Sequence, residues 1–478
     1  MKKLRRRGAE KEKKEFSLLS QKPDFEKITF YILVLFLPTQ LGKHFWPAFS
    51  QVLGIRVDYL SPTLYTTDLL IFALFLFWFK RQKKQTPPTL PFSGEEHRSL
   101  PLIRGSQRGF LSLAWLVFFL YLLINILLSN NPLLGLYGLI KILELFFLGY
   151  YVAKNIKTKK ELAAIAIITS ITVIGESLLT IVQYMHQSSI NGFLYFLGER
   201  KFTSITPGIA NASINGELIL RPYGTFPHPN VLAGYLLCAL IFIFAWFDDE
   251  KDMKKKIFKT ISLLLGSLAL FLTLSRIAIL LWFFIAIIIV FRHFFPPRPH
   301  PVIARRATIV GDEAIPYSTR LLRRSFFAYL NDKIRIKIYP QFLIIVIIFF
   351  IGLLIFTPVL PRLEGTNFTE EAISQRADLL KSTLVMINER PLFGVGLFNF
   401  LPGISHIQKP LSSTLYLQPV HNIFLLVTAE IGIIGAAFFL WFLFKTYNRL
   451  LFYLSLRGRT ELMRRSPLAS SAERDKGV

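Results

Sequence analysis

Cysteine is all but absent from this 478-residue chain. The single one, Cys238, lies inside an apolar run, which excludes an intrachain disulfide and any metal site built on cysteines. Acidic residues are also scarce, 30 against 56 Lys and Arg, for a formal charge of +26. The chain has no Gly-x-x-x-x-Gly-Lys-Ser/Thr loop and no dinucleotide fingerprint, so nothing in it is built to cradle a nucleotide phosphate. No internal repeat is visible. What it has instead is apolar bulk: 52% hydrophobic residues, 46 phenylalanines and a positive mean hydropathy. That composition belongs neither to an ordinary soluble globule nor to a disordered chain, but to a polytopic membrane protein. In a soluble protein +26 would point to nucleic acid. Here it first raises the question of whether the positive charges sit in loops on one side, and no nucleic-acid partner is expected. The basic start (Lys2, Lys3, Arg5, Arg6, Arg7) is followed only much later by an apolar segment, which reads as an anchor and not as a cleaved leader.

Crossing a bilayer takes roughly 20 mostly apolar residues, and ten segments qualify: 27–41, 63–79, 110–128, 133–153, 162–185, 231–247, 257–274, 277–295, 338–356 and 423–444. The first is short and ends at Pro38. With the N-terminus inside, segments 1–27, 80–109, 154–160, 248–259, 292–337 and 445–478 face the cytoplasm, and they hold the great majority of the 56 Lys and Arg residues. This bias obeys the positive-inside rule at every loop. The expected fold is therefore all-α: one polytopic membrane domain over residues 1–478, about ten transmembrane helices, both termini cytoplasmic. Loops 186–230 and 357–421 then lie on the outer face and are long enough to carry function. The inner loop 292–337 and the tails 1–27 and 445–478 read as solvated segments against anionic headgroups, which makes membrane lipids expected neighbours.

Three outer-face arginines stand out. Arg221 lies in Arg-Pro-Tyr-Gly-Thr-Phe-Pro-His-Pro-Asn (221–230), just before the sixth span, with His228 and Asn230 in the same block. Ser275-Arg276 joins the seventh and eighth spans with almost no loop, so this arginine sits at membrane level, where an unpaired charge is expensive. Its planar fork suits a phosphate bidentately. Arg376 falls at the edge of an apolar stripe formed by Ile373, Ala377, Leu380, Leu384 and Ile387, the spacing of an amphipathic helix that ends at Pro391. One snorkelling arginine on lipid headgroups is unremarkable; three around one site favour an anionic ligand. His421-Asn422 opens the last span, and an imidazole there offers a nitrogen able to take a proton near neutral pH. Glu430, nine residues on, lies roughly 13 Å deeper and about half a turn round, and so reads as a structural partner. Gly432, Gly435 and Ala436 read as a small-residue surface for helix contact. Within the bilayer Lys141 and Glu144 are spaced to pair, and Asp68 and Glu176 are intramembrane carboxylates.

Four of these blocks resemble the O-antigen ligase and O-antigen polymerase superfamily: Arg221 to Ala233, Thr-Leu-Ser-Arg-Ile-Ala (273–278), Ser-Gln-Arg (374–376) with Arg-Pro-Leu-Phe-Gly-Val-Gly (390–396), and His-Asn-Ile-Phe-Leu-Leu-Val-Thr-Ala-Glu-Ile-Gly-Ile-Ile-Gly (421–435). The resemblance covers the central and C-terminal half of the chain. It implies a membrane-integral, inverting, metal-independent glycosyltransferase of the bacterial plasma (inner) membrane, without cofactor, whose outer-face site takes a glycan from a polyprenyl-diphosphate carrier. It further implies that Arg276 and Arg376, with Arg221 in addition, hold the diphosphate, that His421 is the catalytic residue, and that Asn422, Ser275, Asn230 and His228 support them. Relatives usually have more than the one span found here after His421, and the first 110 residues match no known pattern.

A glycan transfer of this kind leaves the acceptor open: a lipid, a second glycan or a protein side chain. The alternative is a carrier of lipid-linked or anionic saccharide, for which internal repeats and broken helices around a midplane site are expected. A third reading is a non-enzymatic scaffold whose arginines serve topology alone.

Overall fold

The computed structural model describes residues 24–52, 54–85, 103–214, 217–246, 252–294, 370–407 and 418–464. Eleven helices lie among them: α1 (Phe25–Phe36), α2 (Thr66–Gln85), α3 (Ile103–Leu127), α4 (Pro132–Asn155), α5 (Lys159–His186), α6 (Pro229–Ala245), α7 (Met253–Leu272), α8 (Arg276–Phe294), α9 (Glu370–Glu389), α10 (Phe400–Ile407) and α11 (Ile423–Arg464). A helix stands at nine of the ten segments read as spans. The tenth, 338–356, lies outside the described residues, as do loop 295–337 and the terminal stretches 1–23 and 465–478. Among the described residues three helical stretches are long and apolar enough to cross a membrane: Pro132–Asn155, Lys159–His186 and Ile423–Arg449. Leu113–Leu127, Pro229–Ala245 and Arg276–Ile288 are shorter apolar pieces.

The helix starts follow local chemistry. At α5 the Thr158 hydroxyl accepts the Glu161 N–H at 3.2 Å while the Glu161 carboxylate accepts the Thr158 N–H at 3.0 Å, a reciprocal capping box. At α7 Asp252 accepts the Lys254 N–H at 3.0 Å. Helix α5 lies along α7, and α6 packs on both. Between them is the main core, with Val173, Leu232, Leu236, Leu240, Leu263, Leu270 and Phe271 buried. In lipid the alternative to such contact is another apolar neighbour, so close packing holds these helices together more than exclusion of water does. Lys141 on α4 pairs with Glu144 one turn along its own helix at 3.3 Å, as the spacing implies, and also bridges Asp68 at the start of α2.

The helical class holds, with three two-stranded antiparallel ladders in addition. Gly42–His44 (β1) pairs with Thr63–Tyr65 (β4), Gln51–Val52 (β2) with Ile55–Arg56 (β3), and Asn211–Ile214 (β5) with Glu217–Leu220 (β6). An all-α expectation misses them because each is two to four residues long, too short for alternation to register. The first two ladders fold residues 42–65 into a cap. Its Val52, Val57 and Leu60 enter a second core with Leu379 and Met386 of α9, Phe400 and Ile404 of α10, and Val420.

The face that α9 packs on the protein is Leu379, Thr383 and Met386, each at most 4% exposed, whereas Leu380 and Leu384 are 42% and 51% exposed. The expected stripe is thus corrected by about one position. Leu380 and Leu384 form a second apolar strip directed away from the protein, as suits a helix lying on lipid.

Candidate functional site

The segment 221–230 is seated on polar side chains of α5. Gln183, fully buried, accepts the Tyr223 and Gly224 N–H groups at 3.0 and 2.8 Å and donates to the Gly224 carbonyl at 3.1 Å. Two turns earlier on α5, Glu176 accepts the Thr225 N–H at 3.1 Å and lies 2.7 Å from the Thr225 hydroxyl, which donates to the Pro38 carbonyl at the end of α1. Gly224 takes φ +58°, and any Cβ there would run into the Glu176 carboxylate. The segment is thereby fixed to two helices before it reaches its functional side chains.

Asn230 then joins two of those side chains. Its carboxamide oxygen accepts from Arg221 Nη2 at 2.5 Å, and its backbone N–H donates to His228 Nδ1 at 3.1 Å, so that His228 caps α6. A ring whose Nδ1 accepts a backbone N–H carries its proton, when neutral, on Nε2. His228 therefore offers a donor, not a base. Its pKa is pushed below the ordinary histidine value by burial, and further by the neighbouring positive charge of Arg221 and by His421. His421 thus lies within electrostatic reach of His228.

Arg221 itself is 8% exposed, and its Nε donates to the Thr273 carbonyl at 2.9 Å. This ties the 221–230 segment to the three residues that join α7 to α8. The link is tight: Leu274 takes φ +53°, unusual for a branched side chain, and is held by burial at 3% exposure, while Ser275 N–H leans on the Thr273 hydroxyl at 3.3 Å. Ser275 and Arg276, the latter opening α8, are half-buried. Asn422 caps α11, its carboxamide oxygen accepting the Phe424 and Leu425 N–H groups at 3.0 and 3.2 Å, which leaves the exposed His421 one residue outside the helix. Arg221, His228, Asn230, Ser275 and Arg276 thus gather at one end of the bundle, with His421 within electrostatic reach of His228. Arg376 is exposed near the start of α9, three residues before Leu379, which shares a core with Val420 next to His421.

Helix α11 is broken. Ile431 (φ −115°, ψ 15°) and Gly432 (φ 65°, ψ −178°) leave helical geometry, and the Arg-Pro-Leu-Phe-Gly-Val-Gly motif fills the gap. Val395 N–H donates to the Ala429 carbonyl and Gly396 N–H to the Glu430 carbonyl, both at 2.9 Å, and Ile433 N–H donates to the Pro391 carbonyl at 2.8 Å. Gly432 therefore serves an inserted loop, not the helix contact expected of it: a Cβ there would meet the Leu392 backbone. Glu430 is structural, as its depth implies. Its carboxylate accepts the N–H groups of Phe398 and Phe400 at the start of α10. Asn125 and Tyr121 of α3, with Gln183, are the polar residues that sequence reasoning passed over. The available signal was a lone amide in an otherwise apolar helix, a costly placement unless something is held by it.

Residues 261–440 match the family model described as O-antigen ligase. The match bears out the resemblance to the O-antigen ligase and polymerase superfamily, an enzyme family of the bacterial inner membrane. No curated protein and no solved structure matches the chain. The matched stretch contains Ser275, Arg276, Arg376, His421 and Asn422; Arg221, His228 and Asn230 precede it.

Proposed function

We propose that this chain, whose residues 261–440 carry the O-antigen ligase domain, transfers a glycan with inversion from a polyprenyl-diphosphate carrier to an acceptor hydroxyl on the outer face of the membrane. In this reading Arg276 and Arg376 hold the diphosphate as bidentate forks. Arg221, with Nε on Thr273 and one terminal nitrogen on Asn230, adds positive charge from the wall of the site and sets the Ser275-Arg276 turn. His228 Nε2–H is a neutral donor to the anion. His421 accepts the proton of the acceptor hydroxyl as its oxygen forms the new bond to the anomeric carbon. The bond from that carbon to the diphosphate breaks, and the electron pair leaves with the polyprenyl diphosphate. Such a leaving group needs no general acid, so one base and several cations suffice without metal or cofactor.

The observation that carries this reading is the tie of the 221–230 segment, through Arg221 and the Thr273 carbonyl, to the turn that bears Ser275 and Arg276, with His421 within electrostatic reach of His228. The broken helix is the one feature that fits a carrier, where unwound backbone binds cargo. Here the chain's own loop occupies the break. Reconstitution of the purified protein with a polyprenyl-diphosphate glycan and a candidate acceptor tests the proposal. A new glycosidic product supports transfer, and movement of labelled glycan across the bilayer without product overturns it.

A further inference from the structure

The loop filling the break in α11 is secured from outside the family-matched stretch, by α3. Asn125 is 1% exposed and uses its whole carboxamide there. Its Nδ2 donates to the carbonyl of Phe393 at 2.6 Å, on the inserted loop, and to that of Glu430 at 3.2 Å, on the helix; its Oδ1 accepts the Leu397 N–H at 2.8 Å. One side chain thus holds both partners of the insertion. The Tyr121 hydroxyl, one turn earlier on α3, lies between the carbonyls of Leu392 and Ile431, which belong to the same two partners. The break divides α11 into a short half, Ile423 to Glu430, which follows His421 and Asn422, and a long half that runs on to Arg464. A half-helix of about two turns is marginal alone. Its direction is set by what fills the break. The same loop is the direct continuation of α9, the helix that carries Arg376.

We infer that Asn125 is a positioning residue: it locks loop 390–397 into the break of α11 and so fixes the half-helix bearing His421 against the helix bearing Arg376. The inference rests on the transfer reading above for its catalytic consequence, but not for the lock itself. Because the donor is gripped by arginines that Asn125 does not touch, loosening the lock misaims the base without releasing the diphosphate.

The experiment uses full-length protein in nanodiscs, with Asn125→Ala and Asn125→Asp. The aspartate keeps an acceptor for Leu397 N–H and places a second acceptor against the two carbonyls. Tyr121→Phe is a milder variant should these fold poorly. Turnover per folded molecule falls tenfold or more in the Asn125 variants and severalfold in Tyr121→Phe, while donor dissociation constants stay within threefold of the parent. Hydrogen exchange at the Val395, Gly396 and Ile433 amides accelerates in all three. Turnover within threefold of the parent in every variant, or donor affinity falling in step with turnover, overturns the positioning role. Unchanged exchange at those amides overturns the lock whatever the activity. Absence of any glycosidic product from the parent itself fails the transfer reading instead, and the exchange result still decides the lock.

Discussion

His228 and His421 differ in chemistry, because one ring nitrogen of His228 is already committed to the Asn230 N–H. A histidine held neutral in this way cannot take a proton without losing its cap. The sign follows: its folded pKa lies below the ordinary value of 6.5, so the unfolded chain binds the proton first as pH falls. The stabilisation is fully present above about 6.5 and is lost on descending toward the folded pKa. His228→Asn keeps a capping oxygen and removes the titration. Thermal unfolding in nanodiscs between pH 7.5 and pH 5 is therefore expected to show a smaller acid-side loss in His228→Asn than in the parent; equal loss would mean that other groups set the acid limit. His421 makes the opposite demand. A general base of the kind proposed contributes typically 10²- to 10⁴-fold in rate, so on the proposed transfer His421→Ala is expected to lose nearly all activity while still binding the lipid diphosphate. Transfer within a few-fold of the parent, per folded molecule, would remove His421 from the mechanism. On the same proposal Arg276→Ala and Arg376→Ala are expected to weaken the donor in both ground and transition states, raising the Michaelis constant as well as lowering turnover, with lysine restoring only part because it lacks the fork. Donor affinity unchanged in both alanine variants would take the diphosphate out of the model.

Among the elements, α11 shows most clearly what composition does and does not reveal. Its apolar run marks a span in sequence, and His421-Asn422 marks its start, because an apolar count and a cap are local properties. The break at Ile431-Gly432 is not local. It exists because loop 390–397 supplies three backbone hydrogen bonds that the helix gives up, and that pairing joins residues more than thirty apart in sequence. A glycine in a membrane helix is as readily read as a contact surface, so Gly432 was legible as small but not as kinked. The same holds for α9: the 3-4 spacing exposes two adjacent apolar strips, and only the positions of α10 and the cap decide which faces protein. The arginines and His421 stand out as candidates in sequence because charge and imidazole near membrane level have few cheap explanations. Asn125 and Gln183 do not, since a neutral amide states no partner. Gly432→Ala forces a side chain into φ +65° and against the Leu392 backbone. Strain of this kind costs about 1–3 kcal/mol before any displacement of the loop. Thermal unfolding of the variant should show a clear loss of stability; an unchanged midpoint would mean that the break relaxes to continuous helix at no cost.

At the scale of the molecule, the site residues collect at one end of the bundle while the basic residues crowd segments at the other in the ten-span reading. The two facts have one physical source if the membrane is placed between them: cationic loops stay on the cytoplasmic side, and a site for a lipid-linked donor lies at the opposite interface. Lys201, exposed on the segment between α5 and β5, and Lys254, exposed at the start of α7, sit on opposite sides in that arrangement. Cys238 is the chain's one native thiol and is exposed on α6, so replacing it with serine gives a background in which a single introduced cysteine reports alone. An impermeant maleimide applied to intact cells should label Lys201→Cys and spare Lys254→Cys, with both labelled once the membrane is opened. Labelling of Lys254→Cys alone would invert the topology and put the arginines and His421 on the cytoplasmic side. Equal labelling of both in intact cells would mean that α6, the helix between them, does not separate the compartments, and the ten-span topology would fall. The outcome also bears on chemistry: acceptors available only outside the cytoplasm are candidates for the transfer only if Lys201, and with it the 221–230 segment, is reached from without.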